Sequence, residues 1–317
     1  MNRRQKLITN IISMKGGEVS NICCQKLLFY FSQLEIQDGL PPLFEFVPWT
    51  KGGYSFTAHF EKDNLAEAGY IVGSKKWHLG DYVELPSLGW SDSARLHRVM
   101  EEVGDLDDDD LMRWMYVRYP EYAIRSSEAS RLLLDMQDVL EEIQQQKDIV
   151  EHAYDDAANL FTIGYEGLTI EEFFARLQRD KIEMLIDVRK VPFSHKMGFS
   201  KAKLEVLCEG FHIRYKHFPE LGIPSSMRKE LNTQADYDSL FEEYQRSILP
   251  QQEALLQKIA AMVDRGQRIA LMCFEADPMQ CHRRIVAEKL AEISGKPYHN
   301  LLHRALPTCL TQASLAF

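Results

Sequence analysis

Leu160-Phe161-Thr162-Ile163-Gly164, Met184-Leu185-Ile186-Asp187-Val188 and Ile269-Ala270-Leu271-Met272-Cys273-Phe274 decide the fold of the second half of this chain. Each is a short apolar run, too short for a helix and bounded by glycine or polar residues. Runs of this kind fit strands buried on both faces. Two further runs, at residues 213–218 and 298–302, have the same character. Helical stretches separate them. Thr169-Ile170-Glu171-Glu172 is a capping box that opens an amphipathic helix. Ser200 caps a helix that Gly210 closes, and Gly266 and Gly295 close two later helices. Strand–helix alternation predicts an α/β fold, a doubly wound parallel sheet with helices on both faces.

In an open parallel sheet, ligands bind beyond the carboxyl ends of the strands. The strands deliver there Tyr165 and Glu166, then Asp187 and Arg189, then His217, then Cys273 and Glu275, with Cys281, His282 and Arg283 opening the next helix. Asp187 is either a general base or the orienting partner of Arg189. Glu166, Asp187 and Glu275, if gathered in one site, would raise one another's pKa and suit acid–base work on a glycosidic or phosphoester bond. Arg189 and Arg283 would hold phosphate, Tyr165 would position a ring, and His217 would line the site. Cys281 and His282 lie at a helix N-terminus, which favours an anion or thiolate. Cys273 and Cys281 therefore read as a nucleophilic or redox pair, with His282 or Glu275 as base, or as buried structural thiols. A third reading is a metal held by Cys273, Cys281 and His282, but their spacing matches none of the common zinc patterns, so neither metal nor cofactor is expected.

Residues 189–229 hold nine basic and three acidic side chains, a local balance of +6 in a chain of net charge −10. Phe193, Phe199, Phe211, Tyr215 and Phe218 are interleaved with them, and Lys196 and Lys201 would contact a polyanion. Such a lip fits a nucleotide or single-stranded nucleic acid, or else a solvated surface whose aromatics face inward.

Upstream, residues 1–125 form a block of different character. Leu7, Ile8, Ile11 and Ile12 recur at helical spacing until Gly16-Gly17, and Ser20 caps a second helix over residues 21–33. A third helix spans residues 55–68, and short strands are expected at 70–72 and 82–85. That order suggests a winged helix, with Thr50-Lys51-Gly52-Gly53-Tyr54 as its basic wing and Lys51 as a DNA contact. Residues 1–124 carry 13 Lys and Arg against 18 Asp and Glu, which opposes tight nonspecific DNA binding. The acidic run from Asp105 to Asp110 reads as a solvated loop or helix start. A helix over residues 127–153 links the blocks. Its seam of Leu132, Met136, Val139, Ile143 and Val150 would pack on its own domain or pair a homodimer. The domains are thus expected at 1–125 and 159–317, with the linker helix at 126–158.

The whole chain has 317 residues, 45% hydrophobic and 26% charged, which suits two globular domains and excludes a disordered or disulfide-stapled chain. Six cysteines, including the vicinal Cys23-Cys24, point to free thiols in a reducing compartment. No apolar run approaches the roughly 20 residues of a membrane span, and none resembles a signal peptide. A cytoplasmic protein is expected.

Thr162-Ile163-Gly164-Tyr165-Glu166-Gly167, Leu185-Ile186-Asp187-Val188-Arg189, Leu221-Gly222, and Leu271-Met272-Cys273-Phe274-Glu275 with Pro278 and Cys281-His282-Arg283 resemble the DUF488 family over roughly residues 161–302. The resemblance implies an α/β fold with a rim built on Asp187, Arg189, Cys273, Glu275, Cys281, His282 and Arg283, and carries no reaction. The family's usual glycine pair after the third strand is Gly222-Ile223 here. Gln25-Lys26-Leu27-Leu28-Phe29-Tyr30-Phe31, Gly53-Tyr54-Ser55 and Leu65-Ala66-Glu67-Ala68-Gly69-Tyr70-Ile71 resemble the Panacea-type antitoxin domain (DUF4065). That resemblance implies a regulatory or target-recognition module of bacterial conflict systems. Together these features predict an enzyme acting on nucleic acid or nucleotide, with a thiol enzyme or a non-enzymatic anion sensor as alternatives.

Overall fold

The computed structural model describes residues 1–81, 84–152, 158–228 and 231–303. Tyr82 and Val83 of the expected strand, Lys229 of the basic lip, and residues 153–157 and 304–317 of the expected domains lie outside them. The chain divides into two compact units, Met1–His152 and Ala153–Leu306. No helix among the described residues is long and apolar enough to cross a membrane.

The first unit opens with α1 (Arg3–Met14), β1 (Glu18–Ser20) and α2 (Asn21–Gln37). A hairpin follows, β2 (Val47–Trp49) with β3 (Gly52–Tyr54), then α3 (Phe56–Glu67), β4 (Ile71–Val72) and β5 (Lys76–Leu79). Side-chain caps start the helices: Asn2 with Gln5 forms a capping box on α1, Ser20 caps α2 and Ser55 caps α3. β5 pairs antiparallel with both β1 and β4, so the sheet order is β1-β5-β4. Three helices on such a sheet make a winged helix.

Two details differ from the sequence reading. A strand forms at Lys76–Leu79, where Trp77 buries its indole between outward-facing Lys76 and His78; of the strand expected at 82–85, only Glu84 and Leu85 are described, and they are not in a strand. The wing turn is therefore residues 73–75. The Thr50–Tyr54 segment is instead a hairpin pressed into the core. A Cβ on Gly52, at φ +87°, would lie 2.7 Å from Tyr116, and one on Gly53 would lie 3.1 Å from Tyr122. Lys51 at its tip is exposed.

α4 (Trp90–Val103) and α5 (Asp108–Arg118) complete the core; Asp107 caps α5 and Asp108, Asp109 and Asp110 fill its first turn. The expected single helix is two, α6 (Ala129–Leu132) and α7 (Gln137–His152). Leu132, Val139 and Ile143 of the seam are buried in this unit's own core, with Met136 packed against it. Those residues are packed within this unit.

The second unit alternates β6 (Leu160–Gly164), α8 (Ile170–Arg179), β7 (Met184–Asp187), α9 (Lys201–Gly210), β8 (Arg214–His217), α10 (Gln234–Ser247), α11 (Glu253–Asp264), β9 (Ile269–Cys273), α12 (His282–Ser294) and β10 (Tyr298–Asn300). All the strand pairs are parallel, in the order β10-β6-β9-β7-β8. The fold is α/β, as the runs of buried residues require. Leu160, Met184, Ile186, Ile269, Leu271 and Cys273 face a cluster supplied by α10, α11 and α12. On the other face, Phe173 and Phe174 of α8 meet Phe199 and Phe211 ring to ring. The chain moves one way from β6 and the other way from β9, which is its neighbour. The carboxyl ends of β6 and β9 therefore form the switch point where open sheets bind ligands.

Candidate functional site

The strand ends carry two polar clusters, one on each face of the sheet. Strand alternation separates them: Asp187 pairs in register with Met272, while Cys273 points with Leu271 to the opposite face.

On the α8–α9 face, Asp187 is fully buried. Its carboxylate accepts from the Arg189 backbone N–H at 3.0 Å, from Arg189 Nη2 at 2.6 Å and from the Tyr215 hydroxyl at 2.6 Å. Arg189 Nη1 donates to the Tyr165 hydroxyl at 2.9 Å and to the Phe199 carbonyl at 3.0 Å. Burial opposes the Arg189 charge, but Asp187 more than offsets it and the guanidinium is held charged. Burial and the Asp187 charge push the Tyr215 hydroxyl well up. Tyr165 is buried and stacks on Phe199 at 4.3 Å. This cluster is a closed bidentate pair with its polar partners supplied. Asp187 takes up Arg189 Nε and Nη2, and Tyr165 and Phe199 take up Nη1.

On the α10–α12 face, Cys273 ends β9, Cys281 is the residue before α12, and His282 is its first residue. All three are buried. Cys273 Sγ donates to Glu275 Oε2 at 3.2 Å and lies 3.9 Å from His282 Nδ1. His282 Nε2 lies 2.9 Å from the Val188 carbonyl. A carbonyl only accepts, so Nε2 carries the proton and Nδ1 turns its lone pair toward the thiols. Tyr244 packs edge-on against that ring at 5.8 Å. Burial pushes the Cys281 thiol well above its ordinary value, so the helix N-terminus does not make it a thiolate. Burial pushes the Glu275 carboxyl up, yet hydrogen bonds from Cys281 and Cys273 win and hold it below its usual value. Arg228 Nη1 lies 3.7 Å from Glu275, whose side chain is 20% exposed.

The loops between the clusters are tied by backbone contacts. Glu166 N–H donates to the Phe274 carbonyl at 2.8 Å, and Glu166 Oε2 accepts from Ala276 N–H at 2.9 Å. Arg283 is buried and donates to the Glu275 and Ala276 carbonyls. It shapes the loop after β9. A Cβ on Gly164 would lie 1.8 Å from the Glu275 carbonyl oxygen, so only glycine fits there. Gly222 packs on the Arg189–Lys190 backbone, where a Cβ would meet Lys190 N at 2.3 Å. One glycine preserves the close approach that the altered pair left open.

The three carboxylates thus have separate partners, and Glu275 is lowered rather than raised. His217 Nε2 lies 2.8 Å from the Arg189 carbonyl and props the backbone there. Lys196 Nζ donates to the Tyr165 carbonyl at 3.0 Å, and burial lowers its pKa. Lys201 is exposed, 3.8 Å from Glu205 on its own helix. Of the lip aromatics, Phe199 and Phe211 are core, whereas Phe193 is exposed, as are Lys190 and Arg228. Tyr215 and Tyr244, which complete the two clusters, were not assigned these roles from sequence. Tyr215 shares a strand face with His217, a period-two signal; Tyr244 has no local signal.

Residues 169–290 match the family model DUF488, described as a domain of unknown function. No curated protein and no solved structure matches the chain.

Proposed function

We propose that the C-terminal unit, a DUF488 domain, is an enzyme acting on a nucleotide or nucleic acid, with Glu275 as its general base. The observation that carries this reading is the setting of Glu275. It is the partly exposed carboxylate at the end of β9, 3.7 Å from Arg228 and next to Phe274, which is 43% exposed. Asp187 and Glu166 are each tied to other groups. The Glu275 carboxyl, held below its usual value, is ionised and can accept a proton from water, as a weaker base than an unshifted carboxylate. Arg228 and Lys190 supply positive charge for a phosphate, and the exposed rings of Phe274 and Phe193 suit stacking on a base. The bond attacked would be N-glycosidic or phosphoester.

The test is turnover of free nucleotides, single-stranded DNA and modified-base DNA by wild type and Glu275→Gln. A base contributes about 10²–10⁴-fold. The variant should lose turnover on that scale and keep binding. Full turnover in Glu275→Gln would sink the assignment.

A thiol–disulfide enzyme is the second reading, favoured by the Cys273 and Cys281 sulfurs lying within 4.8 Å of each other. The raised Cys281 thiol weighs against it. Mass spectrometry after mild oxidation decides: no Cys273–Cys281 disulfide removes this reading.

The N-terminal unit reads as a recognition module for protein rather than duplex DNA. Its α3 carries Lys62 against Glu61, Asp63 and Glu67, a balance that repels phosphate.

A further inference from the structure

We infer that Cys273, Cys281 and His282 are the protein ligands of a zinc ion, with Glu275 beside them. The two Sγ atoms and the imidazole nitrogen all lie within 4.8 Å of one another, and Cys273 Sγ is 3.9 Å from His282 Nδ1. Bonds of about 2.3 Å to sulfur and 2.0 Å to nitrogen set tetrahedral ligand atoms roughly 3.6–3.8 Å apart. Closing the site therefore takes side-chain shifts of roughly an ångström or less.

The imidazole is already set for coordination. The Val188 carbonyl fixes the proton on Nε2, leaving Nδ1 bare and aimed at the sulfurs. A ligand histidine whose second nitrogen is held by a carbonyl is the usual outer arrangement of metal sites. Tyr244 packs against the ring, and its own hydroxyl is anchored on the Leu221 carbonyl at 2.8 Å. The ring therefore has little room to turn away.

The three ligands sit at the end of a buried strand and the start of a helix, which are rigid supports. The seven residues between the cysteines make a strand–turn–helix connection, with a short 3-10 turn at Pro278–Gln280. That connection, rather than a metal knuckle, brings the sulfurs together. It is why a test on spacing alone finds no zinc pattern. Two sulfurs and an imidazole select a borderline-soft ion and disfavour magnesium or calcium. Three protein ligands leave one open position, the layout of zinc sites that activate water. Glu275, with Oε2 3.2 Å from Cys273 Sγ, stands beside the trio without being one of the three grouped ligands. Its part in activating water rests on the function proposed above; the binding of the metal does not.

The test counts metal and uses no substrate, so its failure is separate from failure of the enzymatic reading. The full chain is purified without chelator and assayed by elemental mass spectrometry. About one zinc per chain is expected, and a tenfold or greater loss in Cys273→Ser/Cys281→Ser. If that variant does not fold by circular dichroism, chelator-treated wild type is titrated with cobalt(II). Thiolate-to-cobalt charge-transfer and tetrahedral d–d bands saturating near one equivalent support the site. Folded wild type that carries no zinc and gives no such bands overturns it. So does metal retained in a folded double variant.

Discussion

Replacing Asp187 with Asn separates a structural role from a catalytic one. Arg189 is 5% exposed, and Asp187 is its only carboxylate partner among the hydrogen bonds described above. The amide keeps the shape of the carboxylate but leaves a charged guanidinium buried without its counter-charge. Breaking such a pair from one side costs about 3–5 kcal/mol, a large part of the ~5–15 kcal/mol that holds a domain. In a unit of this size each kcal/mol moves Tm by about 2–4 °C, so the expected fall is roughly 6–20 °C. Thermal unfolding followed by circular dichroism reads it. Asp187→Leu/Arg189→Met removes both charges and should lose less than Asp187→Asn alone, a coupling visible in a double-mutant cycle. An Asp187→Asn protein melting within about 2 °C of wild type would refute the structural role. Loss of turnover in that same protein would return Asp187 to the reacting centre.

Three further outcomes follow from the geometry. Gly164→Ala sets a Cβ 1.8 Å from the Glu275 carbonyl oxygen and should destabilise the C-terminal unit by about 1–3 kcal/mol or more, read as a fall in urea midpoint. In the N-terminal unit, burial pushes the Glu121 carboxyl up to about 7. The unfolded chain releases that proton first, so stability is full below the ordinary carboxyl value and is lost as pH rises to about 7. Glu121→Gln should flatten this slope in urea melts across pH. Lys26 is pushed down to about 7 by burial. The unfolded chain holds its proton longer, so stability should rise from pH about 7 toward the ordinary lysine value, and Lys26→Met should remove that rise.

The α/β unit was legible because buried parallel strands leave continuous apolar runs and capped helices leave Thr169 and Gly295 as marks. The winged helix was legible in order but not in its strands. Lys76-Trp77-His78-Leu79 is half polar, and only the packing of Trp77 identifies it as the strand. Lys51-Gly52-Gly53-Tyr54 has the composition of an exposed turn, yet its glycines exist for close packing on Tyr116 and Tyr122. In the candidate site, the residues at the strand ends were found by register alone. Their grouping was not, because strand parity sends Asp187 and Cys273 to opposite faces. A sequence shows the charges of Arg189 and Arg283 but not the Asp187 carboxylate and the Glu275 and Ala276 carbonyls that accept from them. The link from His282 to the Val188 carbonyl joins residues 94 apart and has no local trace.

The central claim is that the open part of the rim lies at Glu275 and Arg228, while Asp187 and Arg189 form its frame. Equilibrium binding of a nucleotide and of single-stranded DNA to wild type and Arg228→Ala, over a salt series, tests it most directly. The account predicts weaker binding in the variant, with the magnitude of the log–log salt slope for single-stranded DNA smaller by about 0.7–1. Affinity and slope unchanged by Arg228→Ala would contradict it.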